Sequence, residues 1–149
     1  MLENYEINSG TLAVMPIDEY TSKIIELDNE YIVNKPCFEI IDDSCNYYGS
    51  TYQGRYEGTK NMIGMNYKLP IIIEESKNII FFPTTSPRLI NCSWVSLNNL
   101  KTYLRNNEGS DIIFKNDSIV NFSISIFSLE SQILRASRLE SILRSRKNQ

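Results

Sequence analysis

The chain has 149 residues, 42% of them hydrophobic and 22% charged, and a net charge of -3, which is enough apolar material for one core and predicts a single domain over 1–149. It contains no histidine; this removes Ser-His-Asp, Cys-His and His-metal chemistry, and since no titratable pair is set up for carboxylate or lysine catalysis the expectation is a protein that is not an enzyme, with no cofactor and no metal. Cys37, Cys45 and Cys92 are odd in number and form no C-x-x-C pair, which argues against a disulfide framework or zinc ribbon, and the lack of a leader pattern or of roughly 20 consecutive apolar residues predicts a cytoplasmic location with no membrane partner.

Short strand signals come first. Tyr5–Ile7 and Leu12–Met15 flank a Ser9-Gly10 turn and predict a hairpin, and Ser22–Leu27 with Tyr31–Asn34 across Asp28-Asn29 extends the sheet. Pro36 opens a helix whose Phe38, Ile41, Cys45 and Tyr48 recur at helical spacing, closed by Gly49. The text from Ser50 to Lys60 is polar and punctuated by glycine, with no period of either kind, and predicts a loop. Strand signals return at Ile71–Ile73, Ile79–Phe82, Ser93–Leu97, Ile112–Phe114 and Ile119–Ile124. Ser128 is placed to cap a long final helix with Leu129, Ile133, Ala136, Leu139 or Glu140, and Leu143 on one face. The fold class is α+β: a mainly antiparallel β-sheet with one short internal helix and a long C-terminal amphipathic helix.

Charge is unevenly distributed. The first 50 residues hold ten acidic and two basic side chains, and the rest of the chain eight acidic and thirteen basic, so an acidic front is joined to a basic back that suits a polyanion despite the negative total.

Gly49 to Tyr56 has the glycine spacing of a Walker A loop, but Arg55 stands where the lysine belongs, Tyr56 where the metal-binding hydroxyl belongs, and a helix rather than a strand precedes it. A nucleic-acid contact is the better functional reading: glycines allow close backbone approach, Ser50 and Thr51 offer hydroxyls, and Arg55 and Lys60 bring charge, with Arg55 suited to a narrow A/T minor groove. An ordinary solvated turn is the alternative, and from composition alone it is the favoured one. Thr84-Thr85-Ser86-Pro87-Arg88 is a second polar loop with hydroxyls and one arginine. Tyr47, Tyr48, Tyr52, Tyr56 and Trp94 are candidates for stacking on unpaired bases or, more commonly, for the core. The final helix has an apolar stripe beside arginines, which fits either a cover for the sheet or a docking face.

Asp43-Ser44-Cys45, Gly49-Ser50-Thr51-Tyr52, Gly54-Arg55, Gly58-Thr59, Lys68-Leu69-Pro70-Ile71, Phe81-Phe82-Pro83-Thr84 and Asn91-Cys92-Ser93-Trp94-Val95-Ser96 follow one another in an order that resembles the ComK family of competence transcription factors, as do Tyr5-Glu6-Ile7 and Leu12-Ala13-Val14-Met15-Pro16. The resemblance implies an activator of competence genes that binds paired A/T-rich boxes of double-stranded DNA from the minor-groove side, as a dimer or tetramer. Carried over by position, Ser50, Thr51, Tyr52, Gly54, Arg55, Lys60, Lys68, Thr84, Ser86 and Arg88 are the expected DNA contacts, and Leu129, Ile133, Ala136 and Leu143 the expected oligomerisation or partner face. Longer family members continue past the last helix into a tail engaged by a proteolytic adaptor; the sequence lacks that tail, so this contact is not carried over. The competing expectation is a protein-interaction module, or an inactive paralogue without DNA binding, that docks through the final helix.

Overall fold

The computed structural model describes residues 1–148 and contains nine strands and three helices among them. Six strands form one antiparallel sheet: β1 (Thr11–Pro16), β2 (Ser22–Glu26), β3 (Glu30–Val33), β4 (Ile71–Glu74), β5 (Ile79–Pro83) and β6 (Trp94–Ser96), in the spatial order β3-β2-β1-β6-β5-β4. A second antiparallel sheet is built from β7 (Leu100–Asn106), β8 (Gly109–Phe114) and β9 (Ile119–Phe122). The helices are α1 (Cys37–Tyr47), α2 (Tyr52–Ile63) and α3 (Ile126–Lys147). The architecture is the expected α+β class with a mainly antiparallel sheet, and the described residues include no helix long and apolar enough to cross a membrane.

The six-stranded sheet is covered on both faces except along its edge strand β3, which is why β1, β4 and β5 read as apolar runs. Alternate side chains divide between two clusters. Val14, Ile24, Ile71, Phe81 and Trp94 pack with Ile40, Ile41 and Cys45 of α1. Ala13, Ile25, Ile72, Phe82 and Val95 pack with Leu129, Ala136, Leu139 and Leu143 of α3 and with Ile112, Phe114 and Phe122 of the small sheet.

Leu129, Ala136 and Leu143 are therefore spent on the protein's own core and Ile133 is half-buried against it. This corrects the expectation of a docking face: the stripe covers the sheet, while Phe127 and Leu134 point outward from α3. The cap also moves, because Ser125, not Ser128, is the N-cap and its side chain accepts from the Ser128 amide at 3.2 Å.

The N-terminal hairpin does not form. Tyr5–Ile7 makes no strand, and the Ile7 amide instead donates to Ser44 Oγ at 3.0 Å, tying this segment to α1. Only Leu2 adds a parallel bridge, to Val33 at the open edge of β3.

The largest departure is α2, which occupies the stretch expected to be a loop. Its interior glycines, Gly54 and Gly58, cost roughly 2 kcal/mol together relative to alanine. Burial of Tyr52 and Ile63, with Tyr56 half-buried between the two clusters, returns about 1.5–3 kcal/mol for each fully buried side chain, so packing outweighs propensity. Gly49 (φ 90) turns the chain out of α1 and Gly64 (φ 69) ends α2, both in the left-handed region that other residues enter at a cost.

Candidate nucleic-acid interface

The start of α2 has its polar groups already engaged. Thr51 is the N-cap and its hydroxyl accepts from the Gly54 amide at 2.9 Å, while the Tyr52 amide donates to Asp42 Oδ1 of α1 at 2.9 Å. With a hydroxyl and a carboxylate on those amides, the turn from Gly49 to Thr51 is not a phosphate cradle.

One residue on, Arg55 faces inward. Its side chain is 16% exposed and donates from Nη1 to Glu75 Oε1 at 2.7 Å, on the β4–β5 turn. The surrounding cleft, about 660 Å³, is walled by Ser50, Arg55, Glu74, Glu75 and Lys147. Arg55 and Lys147 are balanced by Glu74 and Glu75 around this cleft, and the guanidinium is mostly buried and paired, so Arg55 does not stand out toward a groove as the sequence led one to expect. Helical periodicity is the cause: in a loop Arg55 would be free to project, whereas in α2 its position turns it toward β4.

Tyr52 is also inside. Its ring meets Phe38 at 4.6 Å and Trp94 at 6.3 Å between centroids, and burial pushes its phenol up to about 12. Thr84 spends its hydroxyl on the Ser93 amide at 3.0 Å, holding its loop against β6.

Of the other expected contacts, Lys68, Ser86 and Arg88 come together. On the flank of α2 away from Glu75, a cleft of about 310 Å³ is lined by Tyr52, Gln53, Tyr56, Asn66, Tyr67, Lys68, Ser86, Pro87 and Arg88. Among the described residues no carboxylate lines it. Neither Lys68 nor Arg88 takes part in an ion pair among the described residues. The Arg88 guanidinium lies 4.2 Å from the Phe38 ring centroid, and the Lys68 ammonium 4.9 Å from that of Tyr67, positions that orient each cation without neutralising it. A narrower recess of about 130 Å³ carries the same surface to Thr84, Gln132 and Arg135 of α3. Lys60 is exposed on α2. The expected residues thus divide: Ser50 and Arg55 lie at the charge-balanced cleft, Tyr52, Lys68, Ser86 and Arg88 on the basic side.

Gln132 organises the basic side and had no place in the sequence reading. It is 3% exposed, and its Nε2 donates to the Lys68 carbonyl at 2.9 Å and the Pro83 carbonyl at 2.7 Å, so one buried amide fixes the roots of both cationic loops to α3. Its Oε1 accepts from Arg135 at 2.8 Å. The available signal was a glutamine on the core face of α3, one turn from Leu129 and Ala136, where an apolar residue belongs unless backbone groups need a partner.

Comparison with known proteins bears on the whole of this chain. The family model described as ComK protein matches residues 2–148. The chain belongs to the ComK family. Within it, the chain is 37% identical over 142 residues to the competence transcription factor of Bacillus subtilis (strain 168), an alignment covering 93% of this chain and 74% of that protein. No solved structure matches it. The six-plus-three-stranded arrangement is thus the frame on which a ComK-family sequence sets its polar loops.

Proposed function

We propose that this protein is a DNA-binding transcription activator of competence genes, contacting A/T-rich boxes from the minor-groove side as a multimer. The relative's name, competence transcription factor, supports the regulatory part. The observation that carries the DNA part is the convergence of Lys68 and Arg88 on one carboxylate-free cleft, with Lys60 exposed on the adjoining helix. Cations left without an internal partner are the groups that release counterions when they meet phosphate, and they supply most of the affinity of such a surface.

In this reading Lys60, Lys68, Ser86 and Arg88 touch the duplex, while Thr51, Tyr52, Gly54 and Thr84 shape the elements that present them. Arg55 holds α2 in place. Self-association, as a dimer or tetramer, uses a surface other than the Leu129–Leu143 stripe, which is already covered. The acidic N-terminal half faces away from the duplex and suppresses binding to arbitrary polyanions. The protein works in the cytoplasm and needs no cofactor.

The test is a competition gel shift with A/T-rich and G/C-rich duplexes of equal length at fixed salt. The proposal requires preferential retardation of the A/T-rich duplex and its loss in the Lys68→Ala/Arg88→Ala double variant. Equal retardation of both duplexes by the double variant and the parent rejects it.

A further inference from the structure

The basic cleft has features that phosphate neutralisation does not require. Its rim exposes 59% of Tyr67, a ring already carrying the Lys68 ammonium at 4.9 Å. Gln53 and Asn66 line the same space, and the Gln53 amide is oriented by donating from Nε2 to Glu57 Oε1 at 3.0 Å, which leaves its Oε1 as an acceptor. At about 310 Å³, the cleft falls at the lower end of the range for small-molecule sites, about 300–1,000 Å³.

The wall is also preorganised. Three successive carbonyls are held by side chains from two helices: Asn66 O accepts from the Tyr56 hydroxyl at 3.1 Å, Tyr67 O from Arg135 at 3.1 Å and Lys68 O from Gln132 at 2.9 Å. Lys68 is held in the left-handed region, φ 49, an arrangement that costs free energy and persists only where the surroundings impose it. A segment pinned through its backbone in this way displays its side chains in a fixed pose, as a recognition surface does.

We propose that this cleft holds one unstacked nucleotide, with the base against the Tyr67 ring, the base edge toward the amides of Gln53 and Asn66, and the phosphate toward Lys68, Ser86 and Arg88. An exposed ring supplies stacking to any base, amides supply paired donors and acceptors, and the two cations meet the charge. A base extruded from DNA and a free nucleoside monophosphate present the same chemistry. The first source rests on the duplex reading above; the second does not.

The experiment uses the full chain, nitrogen-15 labelled. Thymidine and adenosine 5′-monophosphate are titrated while the side-chain amide signals of Gln53 and Asn66 are followed. In parallel, affinity is measured for an A/T-rich duplex carrying one unpaired thymidine and for its fully paired parent. The proposal expects saturable shifts of both amides, or about tenfold tighter binding of the duplex with the unpaired base, or both. It further expects either signal to vanish in Tyr67→Ala and to persist in Tyr67→Phe. Shifts without a duplex gain assign the cleft to a free nucleotide; a gain without shifts assigns it to an extruded base. Absence of both, or a gain unchanged in Tyr67→Ala, overturns the proposal. Thermal melts followed by circular dichroism establish that Tyr67→Ala is folded, and Arg88→Ala gives a second variant in which both signals must fall. Because the affinity of the paired parent is measured in the same series, failure here is distinguishable from failure of the duplex reading.

Discussion

The Arg55 guanidinium and the Glu75 carboxylate lie 2.7 Å apart across the seam between α2 and the β4–β5 turn, the arginine side chain mostly buried and the glutamate more than half exposed. An exposed carboxylate limits the pair itself to roughly 0.2–1 kcal/mol. The apolar stem of Arg55 adds packing against the seam, so Arg55→Ala is expected to lower stability by about 1–2 kcal/mol in urea denaturation. Duplex affinity, measured where both proteins are folded, stays at the parent value. Unchanged stability with lost affinity would return Arg55 to the interface.

Gln132 joins two loops through one side chain, and its replacement has a double effect. Gln132→Leu leaves the Lys68 and Pro83 carbonyls without a donor; at about 1–3 kcal/mol for each buried unsatisfied group, a loss of some 2–4 kcal/mol is expected once the gain in apolar burial is subtracted. Affinity for the duplex falls as well, since Lys68 is no longer held. A variant that loses stability but binds DNA with full affinity would show that the pinning is structural only.

The glycines of α2 and β8 respond in opposite directions. A Cβ added at Gly58 meets nothing within 4 Å, whereas one at Gly109 comes to 2.8 Å of the Phe122 carbonyl. Gly58→Ala therefore stabilises by about 0.5–1 kcal/mol through helix propensity. Gly109→Ala destabilises, because backbone cannot yield as a flexible side chain can. Thermal melts read both; a destabilising Gly58→Ala would mean that α2 is not helical at this position.

Alkaline pH probes the core on the α1 face of the large sheet. Burial pushes the Cys37 and Cys45 thiols up to about 12 from an ordinary 9.0, and the Tyr52 phenol up to about 12 from 10.0. The folded state keeps these groups protonated where the unfolded chain has released its protons, so stability is fully present below about pH 9 and falls as pH rises toward 12. Urea midpoints at pH 9, 10 and 11 should decrease in that order, and Cys37→Ala should lessen the decline. A midpoint that does not move over this interval, or rapid reaction of native protein with a thiol reagent at pH 8, contradicts the burial.

Much of this was legible in the residues, and the exceptions have physical causes. The strands β1, β2, β4, β5 and β6 announce themselves because both faces of the large sheet are covered along them, which leaves runs such as Ile71-Ile72-Ile73 and Ile79-Ile80-Phe81-Phe82. β7 was not visible: it is an edge strand whose successive residues Lys101 and Thr102, and Arg105 and Asn106, are exposed on both faces, so neither an apolar run nor an alternation marks it. α2 escaped because its periodic signal is three buried positions, Tyr52, Thr59 and Ile63, among glycines and charges; what makes it a helix lies in α1, β4 and α3, far away in sequence. The same long-range packing decided the site. Lys68 and Arg88 were identifiable as polar motif positions, but that they share a cleft while Arg55 is turned to Glu75 follows only from where α2 sits.

Fluorescence anisotropy of an A/T-rich duplex as a function of salt, with the parent, Lys68→Ala, Arg88→Ala and Arg55→Ala side by side, separates cations that meet phosphate from one that is paired inside the protein. Each phosphate contact adds about one to the slope of log affinity against log salt. The expected result is a slope reduced by about one in Lys68→Ala and in Arg88→Ala and left unaltered in Arg55→Ala. A slope that falls in Arg55→Ala and holds in the other two would contradict the account.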